Sequence, residues 1–199
     1  MTGTHFLGCK CCGTYDRHNE VAQVAFAWFK YEQKYSGSTG SFDSNYVGIS
    51  AKGSSKHTDR QVWGSAQYPG RVAFDMSIVN PTAVSYTVTG PAACAESFLN
   101  PNAGTRNAEK TKTDKYGLLC QQRGMDFVPI IFTTSGGMGE QFQRRYWNPH
   151  WIRVAEEDEA MKIGPWVARK RKAFWEARFA VAVANCNARM ISRSQHITD

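Results

Sequence analysis

The sequence predicts an α/β domain: a mixed central β-sheet flanked by helices, with one long C-terminal helix. Three observations carry that expectation. Segments with helical spacing alternate along the chain with short β-prone runs. One run, Val72-Ala73-Phe74-Asp75-Met76-Ser77-Ile78-Val79, reads as a strand buried in a core. The 199 residues are 42% hydrophobic and 13% aromatic, which suits one cored domain and excludes a disordered chain. No stretch approaches the roughly 20 apolar residues of a membrane span. Met1 to Leu7 has no apolar core of signal-peptide length. The expectation is a soluble, intracellular protein with no membrane partner and with reduced cysteines.

The elements follow in order. After a short head, Met1 to Gly13, rich in Cys and Gly, Val21, Val24, Ala25, Trp28 and Phe29 recur at helical spacing. They predict a helix from about Arg17 to Lys34 with Asp16 as its N-cap. The Gly/Ser-rich stretch Ser36 to Ser55 holds at most one irregular edge strand, with Tyr46-Val47-Gly48-Ile49 as an apolar piece. Asp59-Arg60-Gln61-Val62-Trp63 reads as a short strand, Gln67-Tyr68-Pro69-Gly70 as a turn and Arg71 to Val79 as the strong strand. Together they predict a hairpin that presents one Asp from each half. Thr82 to Ala103 reads as a loop with a helical piece at Ala92 to Leu99.

A second helix is expected from about Thr105 to Arg123, with Gly124 as its cap. Phe127 to Thr133 is a further strand, and Pro129 places it at a sheet edge or bulge. Ser135-Gly136-Gly137-Met138-Gly139 is a tight turn into a helix near Glu140 to Tyr146. The last helix spans Pro165 to about Arg193, with Phe174, Ala177, Val181, Ala184 and Ala188 as its expected apolar stripe.

The net charge of +7 is concentrated in the last third, which favours a polyanionic partner, although a solvated helix face reads the same way. The sharper signal is Asp75. An ionised carboxylate inside a core strand costs several kcal/mol unless it is paired or bound to a metal. Asp59, across the predicted hairpin, can bring a second carboxylate to the same point. Two carboxylates completed by waters and phosphate oxygens make a magnesium site. Lys112 lies four residues after Ala108 and four before Tyr116, so it falls on the inward stripe of the second helix with Leu119 and Cys120. It either snorkels to solvent or serves as the cation beside the two acids.

Asp16-Arg17-His18-Asn19, His57-Thr58-Asp59, Phe74-Asp75-Met76-Ser77-Ile78 and Lys112-Thr113-Asp114-Lys115-Tyr116, in this order, resemble the restriction-like endonuclease domain of site-specific non-LTR retrotransposon proteins. That domain is a branch of the PD-(D/E)xK nuclease superfamily. The likeness covers roughly Arg17 to Gly139. It implies a restriction-endonuclease-like core at 17–139, after a Cys-rich head at 1–16 (a degenerate zinc knuckle) and before a basic helical extension at 140–199. It implies Mg²⁺ on Asp59 and Asp75, with Lys112 as the active-site lysine. It implies Lys115 and Tyr116 as supports of the site and DNA contacts, and Arg17 and His18 near the DNA backbone.

The implied partners are DNA and an element-encoded reverse transcriptase, and the implied location is the nucleus. The sequence departs from the family at Thr58, where the pattern has Pro, and at Ser77, where ordinary superfamily members place the lysine. Cys9, Cys11 and Cys12 lack the usual zinc spacing, with His18 the candidate fourth ligand. The chain carries no reverse transcriptase. Three functions therefore stay open: a metal-dependent endonuclease, an inactive nucleic-acid-binding descendant of the same fold, or a structural or protein-interaction domain of unrelated fold.

Overall fold

The computed structural model describes residues 14–32, 42–43, 58–63, 70–80, 102–164 and 166–195; at 14–17, 26, 30, 42–43, 60–63 and 193–195 it describes the backbone alone. The cysteine cluster, the Gln67–Pro69 part of the turn, Tyr46–Ile49, the Ala92–Leu99 piece, His57 and His196 lie outside the described residues.

Helix α1, Thr14–Tyr31, buries Val21, Ala25, Trp28 and Phe29 of the predicted stripe and adds Ala22, while Val24 is half-buried. It starts earlier than expected, so Asp16 lies inside its first turn instead of capping it. Three strands follow: β1, Phe42–Asp43; β2, Arg60–Trp63; and β3, Arg71–Val79. Helix α2, Ala103–Gln121, then leads through Gly124, at φ 65°, to β4, Met125–Thr133. The sheet order is β1-β2-β3-β4. The first two pairings are antiparallel and β3 runs parallel to β4. Pro129 stands in β4, an outer strand of this order, where its missing N–H disturbs the ladder least.

Side chains of β3 alternate between two layers. Phe74 and Met76 enter the main core with α1, whereas Ala73 and Val79 face α2. Between those last two positions, on the same face, sits Asp75. The α2 face is thinly filled. Ala73, Tyr116, Cys120, Met125 and Phe127 form one cluster, and Val79, Ala108 and Ile131 another.

Past β4 the chain turns at Gly136, φ 87°, and at Gly139. A Cβ on Gly139 would lie 2.5 Å from Glu109 Oε1, and that same oxygen accepts the amide of Gln141 at 2.8 Å. Only glycine lets Glu109 take up this otherwise orphaned amide at the start of the next helix. Helix α3, Glu140–Phe142, continues through a π-helical turn, Gln143–Trp147, into α4, Asn148–Ala160. The sequence predicts a helix only to about Tyr146, and α4 adds a further 13 residues beyond it. The wide π-helical turn carries the chain round into a second helix, with Pro149 at its start.

Helix α5, Trp166–Gln195, corrects another expectation. Its buried stripe is Ala168, Trp175, Phe179, Ala182, Val183, Cys186 and Met190. The predicted stripe is exposed throughout, with Phe174 54% and Val181 56% accessible. The helix carries two apolar faces, and it buries the one with the larger rings. Phe179 stacks on Phe132 at 4.8 Å between ring centres. Burying such a side chain contributes about 1.5–3 kcal/mol, which an alanine row cannot match. Residues on both sides of position 139, from Val21 to Val183, share this one core.

His150 and Glu32, neither of which stood out in the sequence as a partner, tie three helices together. Glu32 follows α1 and accepts Trp175 Nε1 at 2.7 Å. It also pairs with Arg171, and the fully buried His150 lies 3.7 Å away on α4. Burial pushes the Glu32 carboxyl up, but His150, Trp175 and Arg171 outweigh it and hold it at about 2. Because this pKa is depressed, its contribution is present above the ordinary value of 4.5 and is lost as pH falls toward 2. Glu32→Ala is expected to cost about 2 kcal/mol by stranding Trp175 and Arg171. Thermal denaturation should show that deficit undiminished from pH 7 to pH 5.

Candidate functional site

Antiparallel pairing joins Arg60 to Phe74. Extending that register by one residue sets Asp59 opposite Asp75, where Cβ atoms lie about 4.5–5.5 Å apart. The ladder stops at Arg60, because Asp59 uses its side chain instead. Its Oδ2 accepts the Met76 amide at 2.6 Å. The same oxygen meets His18 Nε2 at 3.2 Å, and that nitrogen also lies 3.2 Å from the Met76 carbonyl. Both partners of Nε2 are acceptors, so it carries the proton. α1 therefore reaches the sheet through His18 at the point where the two strands part.

From the other layer, Lys112 Nζ on α2 forms an ion pair with Asp75 Oδ2. The carboxylate is 5% exposed and the lysine 23%. Helical spacing sets this contact, since Ala108 packs on Val79 and Tyr116 on Phe127, with Lys112 midway between them over Asp75. Ser77 lies two residues beyond Asp75 on the same face, so the helix supplies a cation that the strand lacks.

The charges interact. Burial raises Asp75 above the ordinary aspartate value; Lys112 opposes this, and Asp59 adds to it. Burial also works against Asp59, but His18, the Met76 amide and Lys112 prevail and lower it. Asp59 in turn raises His18 over the opposing effect of burial. The result is two dissimilar acids side by side, one held ionised and one disfavoured in its charged form. Among the described residues every hydrogen bond to either carboxylate falls on Oδ2. Two opposed carboxylates with Oδ1 atoms outside these bonds form a hard, all-oxygen donor set that fits Mg²⁺. Among the described residues no group of three His, Cys, Asp or Glu side chains gathers at metal-binding spacing.

The remaining candidates divide. Lys115 is exposed, lies over the Tyr116 ring at 4.6 Å, and is near enough to lower Asp75. Tyr116 is 3% exposed and packs at 5.5 Å on Phe127, so it supports the sheet face and presents no surface to DNA. Burial, then Asp75, raises its hydroxyl pKa. Arg17 lies in α1, with its side chain outside the described residues. Glu20, further along α1, pairs with Arg189 and Cys186 on α5 and not with the two acids. Thr58, at the Pro position of the resembled pattern, is 1% exposed with a hydroxyl unpartnered among the described residues. His18, expected near the DNA backbone, also ties to Asp59 across 41 positions, which no local motif encodes.

No protein family model, curated protein or solved structure matches the chain. No described helix is long and apolar enough to cross a membrane.

A raised acid pKa means that Asp75 subtracts stability as pH rises above its ordinary value of 3.8. Asp75→Asn in metal-free buffer at pH 7 should therefore raise Tm by about 2–4 °C, and the gain should vanish near pH 3. His18 behaves in the opposite sense. Its pKa is raised, so its charged pair with Asp59 is present below 6.5 and fades as pH rises. The Tm gap between wild type and His18→Ala should narrow from pH 5.5 to pH 8.5.

Proposed function

We propose that this chain is a metal-dependent endonuclease that hydrolyses DNA phosphodiester bonds, with a core of the restriction-endonuclease type. The observation that carries the reading is the meeting of Asp59, Asp75 and Lys112 at the point where β2 and β3 part, from three separate segments of sequence. Its motifs resemble those of the retrotransposon nuclease branch, and the lysine comes from a helix, as in that branch. DNA is the required partner. A reverse transcriptase from the same element and a nuclear location go with the resemblance.

Asp59 and Asp75 would hold Mg²⁺, which supplies Lewis acidity toward a phosphate oxygen. The Lys112 ammonium stands beside the acids, where it orients an attacking water and offsets charge developing on phosphorus. His18 and the Met76 amide fix the Asp59 carboxylate in one orientation, so it does not have to be ordered when substrate arrives. Lys115, at the exposed rim, meets the phosphate backbone without reading sequence.

One observation favours the second reading, a nucleic-acid-binding module without chemistry. Lys112 already pairs with Asp75 and His18 with Asp59, so each acid has a basic partner from the protein itself.

Plasmid nicking separates the two. Wild type should nick supercoiled DNA in Mg²⁺ and not in EDTA, and Asp75→Ala should abolish cleavage. Lys112→Ala should cut turnover by about 10²–10³-fold while DNA affinity changes less than twofold. Equal activity of wild type and Asp75→Ala sinks the nuclease reading. Salt-sensitive binding without any Mg²⁺-dependent cleavage selects the module.

A further inference from the structure

The second apolar face of α5 has a pattern of its own. Trp166, Lys170, Phe174 and Arg178 are spaced four apart, so they form one ridge along the helix. The two rings are 56% and 54% exposed. Each has a cation against it: Lys170 Nζ lies 4.8 Å from the Trp166 ring centre, and the Arg178 guanidinium 5.6 Å from that of Phe174. Beside Arg178 and Phe174 a groove of about 470 Å³ opens between α5 and α1. Val24, Ala177 and Val181 give it an apolar floor, and the exposed amides of Gln23 and Asn185 stand at its rim. Glu20, also at the rim, is taken up by Arg189. From Trp166 to Gln195 the helix carries seven Lys or Arg and a single acid, Glu176. Most of the chain's net +7 therefore resides on this one element.

We propose that this ridge and groove bind single-stranded nucleic acid, with bases stacked on Trp166 and Phe174, phosphates on Lys170 and Arg178, and one base lodged in the groove. Exposed rings interleaved with cations suit a chain whose π-faces and charges also alternate. Successive positions on the ridge rise about 6 Å, close to the step of an extended strand. A paired duplex hides its base faces and would leave the rings unused. A membrane-surface helix segregates its cations from its apolar face, whereas here both share one ridge. The opposite side of α5 is packed in the core, and the surface lies on the layer opposite Asp75 and α2. The ridge and groove are therefore a surface separate from the Asp75 cluster. The inference does not depend on the nuclease reading.

The test is fluorescence anisotropy of the full chain in EDTA with a labelled 20-nucleotide oligo-dT, a duplex of equal length, and vesicles of 30% phosphatidylserine. Oligo-dT should bind more tightly than duplex and quench tryptophan fluorescence. Trp166→Ala and Phe174→Ala should each weaken oligo-dT binding by about five- to tenfold. Lys170→Ala and Arg178→Ala should each lower the salt dependence by about 0.7 in log–log slope. Leu118→Ala, exposed on α2, should bind as wild type. All these side chains are exposed, so folding is retained, which circular dichroism checks. Unchanged affinity in both aromatic variants overturns the proposal, as does binding to vesicles without binding to oligo-dT. Because EDTA suppresses cleavage, a failed nicking assay leaves this result standing.

Discussion

A carboxylate buried on the face of a sheet constrains everything around it. Asp75 is 4% exposed, and an ionised acid there must be answered by charge. Lys112 answers it from α2, which explains why a lysine stands on the buried stripe of that helix between Ala108 and Tyr116. The parallel β3–β4 pair sets the platform on which α2 rests, and the two small clusters on either side of Asp75 fix the helix in height. The ion pair does not fully repay desolvation, since burial still raises Asp75 with Lys112 in place. A site that leaves its acid under-compensated is better suited to receiving a further cation than one already balanced.

Asp59 plays the contrasting part. It lies just outside the ladder and takes a backbone amide and an imidazole. These contacts keep it ionised and fixed, so the pair combines one anchored acid with one disfavoured acid. The main core holds this arrangement from behind. α1 presents His18 to the sheet, and Trp28, near the other end of the same helix, packs edge-on against Phe142 at 5.7 Å and lies 5.1 Å from Trp147. The Glu32 cluster then ties α1 to α4 and α5. The position of His18 thus depends on packing well away from the acids.

Much of this was legible in the sequence, and for a physical reason. Asp75 broke an apolar run, and Lys112 broke an apolar stripe. Such violations of local patterning are where unpaired chemistry stands out. Helical periodicity located α1 and α2 because each buries one face, and an almost unbroken apolar run located β3 because both of its faces are covered. What failed was any judgement that needed the identity of the neighbouring layer. α5 has two apolar faces, and the choice between them was made by Phe132 and Trp147, which lie far away in sequence. His150 gave no signal because its partners, Glu32 and Trp28, lie more than a hundred residues earlier. α4 was missed because the π-helical turn before it departs from the 3.6-residue period.

The central claim concerns the ionisation of Asp75, and carboxyl carbon-13 NMR measures it directly. In metal-free buffer the Asp75 resonance should titrate above the ordinary aspartate value, with Asp59 below it. Adding millimolar Mg²⁺ should bring the Asp75 midpoint down and shift both resonances together. An Asp75 that titrates at its ordinary value and ignores Mg²⁺ would contradict the account.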